Sequence, residues 1–95
     1  MKAVNKITVI LENFLDGKLS GDSFAVKFED EMFDNDKALA DLPFYNQLNR
    51  LVDVAALFDR YHPNGGNGYT SLRQLLEAAR GALETLKEFS HKRAA

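Results

Sequence analysis

The chain has no cysteine, which removes disulfides, thiolate metal sites and a cysteine nucleophile together. Tryptophan is absent, prolines number two, and no apolar run approaches the roughly 18 residues that a membrane helix requires. The first residues, Met1 to Val4, lead straight into an amphipathic pattern and show neither the long apolar stretch nor the small-residue cleavage site of a signal peptide. A soluble, cytoplasmic protein with no membrane contact is expected. Runs of alternating β-branched residues are also missing, so strands are not expected. The histidines, His62 and His91, lie far apart and outside any His-Glu-x-x-His motif, which leaves zinc hydrolysis without a ligand set.

What is present suits one small helical domain. A chain of 95 residues is too short for two stable cores, and 45% hydrophobic residues suffice for one. Val4, Ile7, Ile10, Leu11 and Phe14 repeat at the spacing of one helical face until Asp16-Gly17, which predicts a first helix from about Ala3 to Leu15 with Gly17 as a left-handed cap. Ser20 is placed to cap a second helix from about Gly21 to Phe33, whose apolar residues Phe24, Phe28 and Met32 recur every fourth position. Asp34-Asn35-Asp36 reads as its stop, with tertiary packing able to carry the helix a few residues beyond it.

Asp41 as cap and Pro43 in the first turn predict a third helix carrying Phe44, Leu48, Leu51, Val52, Ala55 and Phe58 and ending near Tyr61. His62 to Gly68 holds a proline and successive turn formers and reads as the longest loop. Ser71 and Gln74 have the spacing of a capping box, and Leu72, Leu75, Leu76, Ala79, Leu83 and Leu86 form a fourth stripe. Gly81 weakens that helix unless it permits a close contact. Four helices joined by short connections predict an all-α, antiparallel four-helix bundle. Leu39, Leu42 and Tyr69 fall outside the clearest stripes, where they could cap the core or build a dimer.

Charge is unevenly distributed. Glu29, Asp30, Glu31, Asp34, Asp36 and Asp41 face a single Lys37 in sequence, and from Glu29 to Asp59 the balance is −6 within a chain of net charge −2. Such a surface suits a basic partner and argues against direct nucleic-acid binding, which draws its affinity from lysine and arginine. The basic tail of Lys87, His91, Lys92 and Arg93 is too small to reverse this.

Tests for chemistry fail one by one. The Gly-rich loop lacks the Gly-Lys-Ser/Thr ending of a phosphate-binding loop and follows a helix rather than a strand. Asp34-Asn35-Asp36-Lys37-Ala38-Leu39 begins like a calcium loop, but Ala38 and Leu39 stand where an oxygen ligand and a glycine are needed. Glu29, Asp30 and Glu31 are consecutive on a helix, about 100° apart, and do not converge as an acid and base pair. No enzymatic activity and no cofactor are expected.

The ending Phe14-Leu15-Asp16-Gly17-Lys18, the Leu19-Ser20 opening of the second helix, the segment Leu57-Phe58-Asp59-Arg60-Tyr61-His62-Pro63 and the final Thr70-Ser71-Leu72-Arg73 resemble immunity proteins of the colicin D type and related contact-dependent-inhibition immunity proteins. The resemblance spans about Ile7 to Leu86. It implies an antiparallel four-helix bundle that binds a cognate bacterial toxin, commonly a tRNA-cleaving ribonuclease, one to one and blocks its active site. In that family carboxylates stand in for substrate phosphates, and Asp59 matches such a position. The chain departs from the family where Asn64-Gly65-Gly66-Asn67-Gly68 replaces an acidic loop, which moves attention to the acids around the second helix.

The expected toxin-binding residues are therefore Glu29, Asp30, Glu31, Asp34, Asp36, Asp41 and Asp59, with Phe33, Phe44 and Tyr45 as apolar anchors. A small helical adaptor docking a basic region of another protein, with no inhibitory role, is the alternative expectation.

Overall fold

A computed structural model describes residues 2–94, with side-chain surroundings through residue 90; His91, Lys92 and Arg93 of the basic tail lie outside the described side chains. Gly17 is left-handed (φ 80°) and ends α1 (Lys2–Leu15). The Lys18 N–H donates to the Asn13 carbonyl at 2.8 Å and the Gly17 N–H to that of Phe14 at 3.1 Å, the paired bonds of a glycine-capped helix end. The Ser20 hydroxyl accepts from the Ser23 N–H at 3.1 Å and starts α2 (Gly21–Asp34). At the far end of the chain, the Ser71 N–H donates to the Gln74 side-chain carbonyl at 2.8 Å and the Gln74 N–H to the Ser71 hydroxyl at 3.0 Å. This capping box opens α5 (Leu72–Ala94), which runs past the last predicted stripe residue, Leu86.

Between these caps the structure departs from expectation. Asn35 stops α2 by donating its side-chain amide to the carbonyl and carboxylate of Glu31, and one further turn, α3 (Asp36–Leu39), follows. That turn exists because Leu39 is fully buried, which removes it as an exposed dimer residue; Leu42 is half-buried against the core, and Tyr69 stays exposed. Asp41 and Pro43 do not start the next helix. They sit in a turn closed by Leu42 and Tyr45 N–H bonds to the Leu39 and Leu42 carbonyls, and α4 (Tyr45–Ala56) begins after it. The helix ends five residues short of Tyr61, because the Leu57 carbonyl is taken by the Thr70 N–H at 2.9 Å and Phe58 pairs with Thr70 in an isolated parallel bridge.

Among the described residues the chain is all-helical, with five helices and no strand. α1 packs against α2 and α5, and α4 against the same two helices, while α3 touches α1 and α2. Phe14 of α1 stacks on Phe24 of α2 with ring centroids 4.3 Å apart, and Phe24 stacks on Phe28 at 5.5 Å. These rings share the core with Ile7, Leu11, Leu48, Leu75 and Leu86. A radius of gyration of 13.0 Å is that of a compact chain of this length. No helix among the described residues is long and apolar enough to cross a membrane.

Candidate functional site

The buried stripe of α2 is Phe24, Phe28 and Met32. Val26 and Phe33 lie off it, seven positions apart, so two turns of helix bring them to one outward face. Both are exposed, Phe33 at 83% of its surface. Glu29 and Asp30 stand between them on that face, also exposed. Beside it a cleft of about 830 Å³ opens between the end of α2, α3 and α4, lined among others by Glu29, Phe33, Asp34 and Asp36, with Met32 and Val52 at its apolar side.

The carboxylates do not form one uniform surface. Asp30, Glu31 and Asp34 line a second cleft of about 730 Å³ whose other lining includes Lys2 and Lys6 of α1 and Lys27 of α2. The acids that face only Lys37 in sequence thus gain three further cations in space on this side. Glu31 is half-buried and accepts from the Asn35 amide at 3.0 Å. Asp36 accepts a hydrogen bond from the Tyr45 hydroxyl, which ties α3 to the first residue of α4. Asp41 is exposed in the α3–α4 turn and lines neither cleft.

One of the expected anchors is corrected by burial. Phe44 is only 6% exposed and meets Phe89 of α5 edge to face at 4.9 Å, so it is a core residue and not a docking anchor. Tyr45 is half-buried and donates its hydroxyl to the Asp36 carboxylate. Phe33 is the one of the three expected anchors that lies well exposed. Sequence reasoning missed Val26, Met32 and Val52 as parts of this surface; the signal for Val26 was its place off the buried stripe.

Asp59 belongs to a separate cluster in the α4–α5 loop. Its carboxylate accepts from the Tyr61 N–H at 2.9 Å and lies 3.1 Å from the His62 Nδ1. Chiefly through the Tyr61 N–H, opposed next by desolvation and aided by the weaker effects of His62 and the Arg60 charge, its pKa falls below the ordinary 3.8. His62 stacks on Tyr69 at 4.3 Å, and Arg60 lies over the Tyr61 ring at 4.7 Å and 3.7 Å from the Asp22 carboxylate. The glycines that suggested a phosphate cradle instead close the loop on itself. The N–H groups of Gly65, Tyr69, Thr70 and Leu72 all donate to carbonyls within residues 57–66.

Among the described residues no group of three or more His, Cys, Asp or Glu is placed to hold a metal ion. Comparison with protein-family models, curated proteins and solved structures finds no match.

Proposed function

We propose that the chain is an inhibitory binding protein of the immunity type, which neutralises a basic nuclease toxin, a tRNA-cleaving ribonuclease by its resemblance, in the cytoplasm. The observation that carries the reading is Phe33, 83% exposed among the carboxylates of Glu29, Asp30 and Asp34. An exposed aromatic ringed by acid is costly for a free surface and useful against a cationic one: charge speeds the encounter and the buried ring supplies affinity. A nuclease must present positive groups to a phosphodiester, and carboxylates satisfy those groups while offering no bond to cleave. The four long helices α1, α2, α4 and α5 fit an antiparallel bundle, since each of the four packs on two others in a closed ring.

A tagged chain is used to capture its partner from the native host, with washes of rising salt, and the captured protein is assayed for RNA cleavage. A basic protein silent in the complex and nucleolytic after release is the expected outcome. Phe33→Ala and Glu29→Gln/Asp34→Asn are expected to lose the partner at lower salt than the parent chain. Capture of a protein that is not a nuclease, and whose activity the chain does not change, points to an adaptor. The exposed Leu57, Tyr61 and Leu72 around the α4–α5 loop favour that second reading, because they offer an apolar surface apart from the acidic one.

A further inference from the structure

The α2–α4 cleft has Phe33, the most exposed apolar side chain of α2, among its lining residues. Its volume of about 830 Å³ falls in the range of about 300 to 1,000 Å³ typical of ligand sites, more than one inserted side chain occupies. Resting on the reading of this surface as the dock for a basic partner, we infer that the cleft receives a short basic and partly apolar segment of that partner. Arginine or lysine heads lie against Glu29, Asp34 and Asp36, and an apolar side chain lies on Met32, Val52 and Phe33. The partner therefore enters this chain as much as this chain enters the partner.

Charge, shape and order support the assignment. The lining carries Glu29, Asp34 and Asp36 against Lys37, whereas the α1–α2 cleft, of similar size and also lined by Asp34, sets Lys2, Lys6 and Lys27 against its acids. A cationic segment thus distinguishes the two clefts. Asp36 is held by the Tyr45 hydroxyl and Asn35 by Glu31, so this edge is fixed before a partner arrives and little ordering cost remains. Met32, almost wholly buried, and the half-buried Val52 supply the apolar side of the lining.

The test is a titration of the isotope-labelled chain with a short blocked peptide of alternating arginine and leucine, followed by NMR, beside matched glutamate–leucine and glutamine–leucine peptides. Saturable shifts of the Met32 methyl and the Asn49 and Val52 amides with the arginine peptide alone are expected. Glu29→Gln/Asp34→Asn is expected to weaken binding about tenfold, as the loss of charge-assisted contacts predicts. Absence of saturable shifts in the cleft, an equal response to either control peptide, or shifts confined to the Lys6 and Ile10 side overturns the assignment. The two readings fail separately. A chain that silences its nuclease yet takes no arginine peptide loses the cleft alone, and one that takes the peptide yet inhibits no nuclease keeps the cleft and loses the inhibitor reading.

Discussion

Gly21 opens α2 with no side chain, and the edge of Phe58 occupies the space a side chain would fill. A Cβ built there would lie 2.5 Å from Phe58 Cε2. Because Phe58 is also paired through its backbone to Thr70, its ring has to move while its main chain stays. Gly21→Ala is expected to lower stability by about 1 to 3 kcal/mol, the usual cost of overpacking, read from the urea midpoint. In the double variant with Phe58→Ala the two costs should fall short of their sum, since the clash is then gone. The same loop carries a pH dependence. Asp59 titrates below its ordinary value in the fold, so its contribution is present above the unfolded pKa and is lost as pH falls through the folded one. As the pH falls below 3.8 and through that lowered pKa, the Asp59 contacts to Tyr61 and His62 should loosen, visible as a shift of the Tyr69 ring resonances under the His62 stack. Asp59→Asn should flatten that response.

The elements whose ends depend on neighbours in sequence were legible before the fold was known. Ser20, Gly17 and the Ser71–Gln74 pair each meet their partners within five residues, and the structure contains all these bonds. The ends of α4 were not legible, for they depend on Phe89 covering Phe44 and on Thr70 claiming the Leu57 carbonyl, contacts made by chain far downstream. α3 likewise exists for the burial of Leu39, which no local signal announces. Gly81 in α5 shows the opposite case, a local cost with no tertiary reason behind it. An added Cβ would come no nearer than 3.9 Å to the Gln47 side-chain nitrogen, and the backbone there is not left-handed. Gly81→Ala should therefore raise stability by about 0.5 to 1 kcal/mol, seen as a higher midpoint in thermal or urea unfolding.

At the scale of the molecule, the concentration of charge was plain in the sequence but its division was not. Lys2 and Lys6 come beside Asp30 and Glu31 only because α1 lies along α2. Periodicity likewise separated the roles of two phenylalanines on one helix. Phe24 lies in the stripe, is wholly buried and stacks on Phe14 and Phe28, whereas Phe33 lies off it and faces outward. Phe24→Ala should cost about 3 to 5 kcal/mol, a large part of the roughly 5 to 15 kcal/mol that holds a domain folded. Phe33→Ala should leave the unfolding midpoint within about 0.5 kcal/mol of the parent and remove partner binding instead. Denaturation and binding measured on both variants separate the residue that holds the fold from the residue that the fold displays. If Phe33→Ala instead unfolds the chain, or binds its partner undiminished, the outward face of α2 is not the docking surface.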